Sequence, residues 1–283
     1  MSNNNYFTST GFDSMLDLTN WGVLQKYLLI AASISKSPDR QTDAILQKII
    51  ASAQACSTTV LPVAHSMGNT LFNYANTMVA TLGGLEQLMA QDNIPKDAVE
   101  QLVSNLISTA KSALGEPQTV NQGLINFEST SSSAGNALTS RLTTMKAKVS
   151  SANETISSTS SDIDVQLKET SLNVSAIDTD IENLENVVLK IKGVSFVGLN
   201  FSVTQGVTSG TQLATAVKSG IVAWNLLLKE LNLLDVKIKQ SSEADLKAIP
   251  SLTPSVLKDA KQRWQALDKL AHNFMLNFFV SPQ

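Results

Sequence analysis

Residues 120–191 read VNQGLINFESTSSSAGNALTSRLTTMKAKVSSANETISSTSSDIDVQLKETSLNVSAIDTDIENLENVVLKI, with no proline anywhere in the run. Steps of three or four from Val120 pass through Leu124, Phe127, Ser131, Ala134, Leu138, Leu142, Met145, Val149, Ala152 and Ile156. They continue through Thr159, Ile163, Leu167, Thr170, Val174, Ile177, Ile181, Leu184, Val188 and Ile191. Twenty steps over 71 residues give a mean period of 3.55, between the straight-helix and heptad values. Only Ser131, Thr159 and Thr170 interrupt the apolar seam. The run is therefore predicted to be one continuous helix, about 110 Å long, and a helix of that length needs others laid along it. Paired four-residue steps at Ala134/Leu138/Leu142 and Thr159/Ile163/Leu167 are stutters that locally unwind the seam, a feature of bundles rather than of an ideal two-stranded coil. The tracts 129–133 and 157–161 are rich in Ser and Thr, poor helix formers, yet the seam runs through both.

The 283-residue chain is 43% hydrophobic, enough for a substantial core. A net charge of -3 without a basic tract gives nucleic-acid binding little support. Cys56 is the only cysteine, and with His65 and His272 as the only histidines there is no ligand set for a conventional structural zinc site. The opening MSNNNYFTSTGFD has neither a basic n-region nor an apolar h-region. No standard secretory signal is visible in it, and the segment is expected to be flexible over residues 1–16.

The remaining helices follow from punctuation. A first helix is predicted from Asp17 or Asn20 to Ser35, with Trp21, Leu24, Leu28 and Ala31 on one face; Ser37-Pro38-Asp39 ends it. A second carries Ile45, Ile49, Ala53 and Cys56, and Pro62 should end or kink it. Val63, Met67, Leu71, Tyr74, Met78 and Leu82 mark a third, which Gly83-Gly84 is expected to loosen. Asn93 and Pro95 start a fourth, running through Val99, Val103, Leu106 and Ala110 to a stop at Gly115 and Pro117. After the long helix, a return helix is expected from near Leu213 to Lys239, with Val217, Ile221, Trp224, Leu228, Leu231 and Leu234 on one face. Thr253 and Pro254 then open a terminal helix seamed by Leu257, Ala260, Trp264, Leu267, Ala271, Phe274 and Phe278. Ile163, Leu167, Trp224, Leu228, Trp264 and Phe274 are the residues expected to carry the bundle packing.

Between the long helix and its return lies the stretch of most functional interest. Residues 193–217, GVSFVGLNFSVTQGVTSGTQLATAV, carry no charge. Val197, Leu199, Phe201 and Val203 alternate with Gly198, Asn200, Ser202 and Thr204, a strand-like period. Gly206 and Gly210 then mark a flexible turn before helical spacing resumes. The tip is a capping hairpin, a membrane-contacting element or an unrelated ligand pocket. It is too polar, and too rich in Gly and Thr, for an ordinary transmembrane helix. In solution, Val194, Phe196, Val197, Leu199, Phe201 and Val203 must be buried within the chain or by self-association.

A long helix entering an uncharged tip, a Trp224-led return helix, and a terminal helix with Ala260-Lys261-Gln262-Arg263-Trp264 together resemble the cytolysin A superfamily of α-helical pore-forming toxins. The similarity is closer to components of multipart toxins such as haemolysin BL and the Gram-negative tripartite haemolysins. The resemblance covers residues 17–280, and it implies an all-α, elongated antiparallel bundle with a small apolar head, formed by a β-hairpin or a helical hairpin. The implied organisation is a flexible N-terminus at 1–16, a tail bundle from 17–192 and 221–283, and a head at 193–220. It further implies export, contact of the head with a target-cell lipid membrane, and assembly with one or two homologous components. The head's many Ser, Thr, Gln and Asn residues depart from the more hydrophobic members, which favours an accessory component over a complete pore.

Membrane permeabilisation of this kind needs no catalytic residues, cofactor or metal, and none is expected. The chain carries no Gly-rich phosphate loop, paired-cysteine site or zinc-hydrolase motif. Asp178, Asp180, Glu182 and Glu185 read as a solvated helix face. The competing reading is a non-enzymatic rod-like structural or interaction protein. The seam itself is testable: Ile163→Asp places a charge in it and should cost roughly 3 kcal/mol in a thermal or denaturant melt, whereas Glu169→Gln should cost less than about 0.5 kcal/mol. Equal destabilisation by the two would reject the seam.

Overall fold

The computed structural model describes residues 7–34, 40–166, 190–191 and 194–279. Its elements are α1 (Leu18–Ala32), α2 (Arg40–Ala55), α3 (Leu61–Met89), α4 (Lys96–Ala113), α5 (Gly115–Gln166), the two-residue strands β1 (Lys190–Ile191) and β2 (Val194–Ser195), α6 (Phe196–Gln240) and α7 (Pro254–Asn277). The fold is an all-α bundle. Two compact units divide the chain: Met1–Lys26, Ala55–Asn126 and Ser209–Gln283 form the first, Tyr27–Gln54 and Phe127–Thr208 the second. This partition differs from the expected one: it divides the head at Thr208 and Ser209, and residues 27–54 and 127–166 fall in the unit that holds its first part.

The first unit is built on α3 and α7. Trp264 and Phe274 of α7, Trp224 of α6 and Tyr74 of α3 are all buried. Tyr74 lies edge-on to Trp224 with ring centroids 4.7 Å apart, and 5.4 Å from Trp264. Gly68 of α3 lets Phe274 close onto the helix, since a Cβ there would sit 2.4 Å from Phe274 Cδ1. Lys261 of α7 pairs with Glu86 of α3 at 2.9 Å. The expected seam Leu257, Ala260, Trp264, Leu267, Ala271, Phe274 and Phe278 is buried throughout.

The opening segment is structural from Phe7, in place of the flexible stretch expected over residues 1–16. Phe7, Phe12, Met15 and Leu16 are buried, and the Trp264 indole N–H donates to the Phe7 carbonyl at 3.1 Å. Gly11 sits at φ +97°, in the left-handed region that favours glycine. The chain then enters α1 through Asp17, whose carboxylate accepts the Thr19 N–H at 2.9 Å.

Several boundaries differ from expectation. Pro62 does not end its run: residues 56–60 form a π-turn in which the Leu61 N–H reaches back five residues to the Cys56 carbonyl, and α3 continues through the proline. Proline has no N–H to give, so the turn ahead of it widens instead of clashing. Gly83 and Gly84 do not loosen α3, which runs on to Met89; a Cβ at Gly84 would lie 3.3 Å from Leu102 Cδ1, so the pair permits close approach. Helix α4 starts at Lys96 with Pro95 as its cap, and Gly115 and Pro117, expected to stop a helix, open α5 instead.

The predicted long helix is present as α5 as far as Gln166, its seam buried from Val120 to Leu142. Ile163 falls within α5, although its side-chain placement lies outside what is described, as does the whole of residues 167–189, Leu167 among them. At the far end the expected helix is replaced by strand, since Lys190 and Ile191 pair with Ser195 and Val194. On α6, Val217, Trp224, Leu231 and Leu234 are buried as expected, but Leu227 is fully buried where Leu228 is only half-buried.

Replacing Gly68 by Ala should gain helix propensity yet lose stability by about 1–3 kcal/mol, because the new methyl overlaps the Phe274 ring. Combined with Phe274→Leu, the loss should fall clearly short of the sum of the two single effects. Denaturant melts of the three variants provide the check.

Candidate functional site

The uncharged tip is a helix, not a strand. From Phe196 onward the chain belongs to α6, so the return helix begins well before Leu213, and the only extended pairing in the described tip is the two-residue ladder of β1 and β2. The change of period sorts the candidate residues differently. Leu199 and Val203, four residues apart on one helical face, are buried at 3% and 2% exposure. Phe201, which a strand would place beside them, is turned away and 62% exposed. Val194 lies in β2, and Phe196 and Val197 open α6; their side chains lie outside what is described.

What covers the buried face is in the second unit itself. Gly135 of α5 admits Val203, since a Cβ there would stand 3.0 Å from Val203 Cγ1. One turn along, Thr139 Oγ1 lies 3.0 Å from its own-helix Gly135 carbonyl oxygen and 3.1 Å from Asn200 Oδ1. Gly206 is buried against the Tyr27 ring, with only 2.4 Å between a would-be Cβ and Tyr27 Cγ. Tyr27 in turn meets Phe127 at 5.8 Å and 64°. Below them Ser131, the first polar break in the long seam, forms a 2.9 Å hydroxyl pair with Ser52 of α2, which satisfies both buried groups.

The sequence reading singles out none of Tyr27, Ser52, Thr139, Asn200 and Gly206 as part of the tip's support. One signal for them is present. Leu199, Val203, Gly206, Gly210, Leu213 and Val217 follow alternating four- and three-residue steps, a helical seam with two glycines in it.

The thiol and the two imidazoles of the chain lie in packed surroundings. The Cys56 thiol is buried, and burial pushes its pKa up to about 12, so it is held as the unreactive thiol. His65 Nε2 lies 3.3 Å from the Met275 carbonyl oxygen and its ring packs on Phe279 at 5.1 Å; His272 packs on Phe72. Among the described residues no group of three or more His, Cys, Asp or Glu is placed to hold a metal ion. No described helix is long and apolar enough to cross a membrane.

No protein-family model matches the chain, and neither does any curated protein. Solved structures do. The HblL1 toxin component of Bacillus cereus is similar over 98% of both chains, with a TM-score of 0.65 at 12% identity. Soluble AhlB, of the tripartite α-pore-forming toxin AHL from Aeromonas hydrophila, is similar over 97% of this chain and 96% of its own, at TM-score 0.63 and 11% identity. The cytotoxin MakB of Vibrio cholerae is similar over 96% of this chain and 93% of its own, at 0.59 and 11%. At such identities the likeness is one of fold, and it extends almost end to end. The all-α architecture that the long helix, the uncharged tip and the return helix suggested is the architecture of these toxin components.

The sorting of tip residues can be read from stability. Leu199→Ser and Val203→Ser should each lower stability by about 2–4 kcal/mol, because each leaves a cavity and a polar group at a buried position. Phe201→Ser should change it by less than about 1 kcal/mol. A thermal melt in which Phe201→Ser is the most damaging of the three would overturn the helical assignment of the tip.

Proposed function

We propose that the chain is one component of a multipart α-helical pore-forming toxin, which contacts a target membrane through its uncharged tip and acts together with one or two homologous subunits. The observation that carries the reading is the near full-length likeness in fold to HblL1 and AhlB. It is supported by the exposed Phe201 ring on an otherwise uncharged helical segment. Function on this reading is permeabilisation without bond chemistry. Export, like membrane action, belongs to the same proposal.

The physical properties of the segment suit a component better than a lone pore. Residues 196–217 of α6 span about 33 Å as helix, close to the thickness of a bilayer's hydrocarbon core. Yet Ser202, Thr204, Gln205, Thr208, Ser209, Thr211 and Gln212 lie along it, and each would need a partner in hydrocarbon. Neighbouring subunits can supply those partners or enclose water against the polar side. Val194, Phe196, Val197, Leu199, Phe201 and Val203 are the residues proposed to meet lipid. Leu199 and Val203 must first leave their buried positions, whereas Phe201 is available at once.

That difference gives a clean test. Phe201→Ser should retain native helicity and melting, yet reduce liposome co-sedimentation and partner-dependent dye leakage at least fivefold, through loss of one apolar ring at the interface. Leu276→Ser removes a comparably exposed apolar side chain from α7, 71% exposed, and should leave both readouts unchanged. If Phe201→Ser binds and permeabilises as the parent does with all partners present, the membrane assignment fails and the rod-like interaction protein is the better reading.

A further inference from the structure

The part of α6 that lies in the first unit is apolar on two sides. Inward, Ala223, Trp224, Leu227, Leu231, Leu234 and Ile238 are buried. Outward, Val222, Leu226, Leu233 and Val236 are each between 46% and 52% exposed. With Lys229 they fall at steps of four, three, four and three, so the five share one narrow stripe about 21 Å long. No other described helix presents more than two exposed large apolar side chains. Single exposed aliphatics need no explanation, whereas a contiguous run of them marks an interaction site. The stripe spans two heptads of the a/d type, the seam of a helix pair. It is not the broad apolar face of a helix lying in a membrane surface, which would carry Lys229 into the hydrocarbon.

The charge on the stripe selects the partner. Lys229 is exposed and has no hydrogen-bond or ion-pair partner among the described residues. Lys218 precedes the stripe by one turn and Lys237 flanks its end, both exposed. The nearest acids are engaged elsewhere: Glu230 accepts the Thr8 N–H and its Oε2 is buried, and Asp235 holds Lys239 at 2.7 Å. Asn225 and Asn232, along one edge, donate to carbonyls of their own helix. The stripe is therefore apolar and positive. Pairing with a second copy, either parallel in register or antiparallel about Lys229, would set the two Lys229 side chains together, a like-charge contact that acts against self-pairing.

We infer that this outward stripe of α6 is a docking surface for an acidic amphipathic helix of another protein, whose apolar side chains repeat at the same three- and four-residue steps and whose Asp or Glu faces Lys229. A single charged position within a seam sets the register as well as the partner. The stripe lies beyond the tip on the same helix, and the inference stands whether or not the tip meets a membrane.

Two stapled helical peptides of about three heptads provide the test, alike in a leucine seam and acidic flanks, one with Glu and the other with Lys at the central seam position. Titrated against the full-length protein by fluorescence anisotropy, the Glu peptide should bind at least tenfold tighter than the Lys peptide. Lys229→Glu should invert that order. Leu226→Ser combined with Leu233→Ser should weaken the Glu peptide at least tenfold at an unchanged melting temperature, because both side chains are half-exposed. Phe201→Ser should bind the Glu peptide as the native protein does, which separates this surface from the tip. The inference is overturned if the native protein does not bind the Glu peptide at submillimolar concentration, if Lys229→Glu keeps the order, or if the double serine variant binds as before. It is also overturned if sedimentation shows a native dimer that the double serine variant loses, which makes a second copy the occupant, or if that variant loses binding to phosphatidylserine vesicles that Phe201→Ser keeps, which makes the stripe a membrane surface.

Discussion

The Trp264 indole ties together the segments of the first unit. Its N–H donates to the Phe7 carbonyl, one side of its ring meets Phe12 at 5.7 Å, and another meets Tyr74 at 5.4 Å. Phe12 and Tyr74 both continue to Trp224, at 4.9 and 4.7 Å. Four rings from the N-terminal segment, α3, α6 and α7 thus close a loop of contacts, each ring touching two others, so truncating any one of them leaves its two neighbours facing a void. Such a cluster explains why a polar-looking opening sequence is ordered: Phe7 and Phe12 fill space that no helix residue reaches. Nearby, Gly68 admits the Phe274 ring and Gly11 lies beside Ala223.

Helices with a continuous apolar seam are legible without a structure. The terminal helix reads correctly from Leu257 to Phe278 because its steps alternate cleanly and Thr253-Pro254 is an unambiguous start. The seam through Val120, Leu124, Phe127, Ala134 and Leu138 is likewise buried in the structure. Its first polar interruption, Ser131, reads from sequence as a weak spot. In the fold it is a matched position, because Ser52 supplies the partner. A hydroxyl pair contributed by two distant segments leaves no mark in either segment's own period.

The tip misreads for a related reason. Hydrophobic periodicity counts side chains, and at Gly206 the seam position holds none; the space is filled by Tyr27 from another helix. Without the glycines, the remaining Val197, Leu199, Phe201 and Val203 show the alternation of a strand, and only the longer pattern through Leu213 and Val217 restores the helix. The same bias makes Gly83-Gly84 look like a break and Gly115-Pro117 like a stop. At Gly84 and Gly206 glycine passes for a backbone signal where it acts as a spacer for close packing, whereas Gly115, with nothing within 4 Å of a Cβ built there, opens a helix. Pro62, whose constraint acts on the backbone of its own helix, is preceded there by the π-turn of residues 56–60 and does not end the run.

For the proposed membrane role, the apolar residues of the tip are not what sets the cost of release. Leu199 and Val203 are worth about 1.5–3 kcal/mol each against water, but lipid tails are as apolar as the core they leave, so a transfer from their buried positions to hydrocarbon is nearly neutral for them. The larger cost falls on groups such as Asn200, which gives up Thr139, and on the Ser, Thr and Gln side chains that exchange water for hydrocarbon at roughly 1–3 kcal/mol each when unpaired. Phe201 can return only about as much as one such group costs. A lone copy therefore has an uphill path into the bilayer interior, whereas a copy whose polar face meets another subunit loses most of that penalty. On this argument the surface-exposed ring serves for attachment, and the partners determine whether the rest of the tip follows.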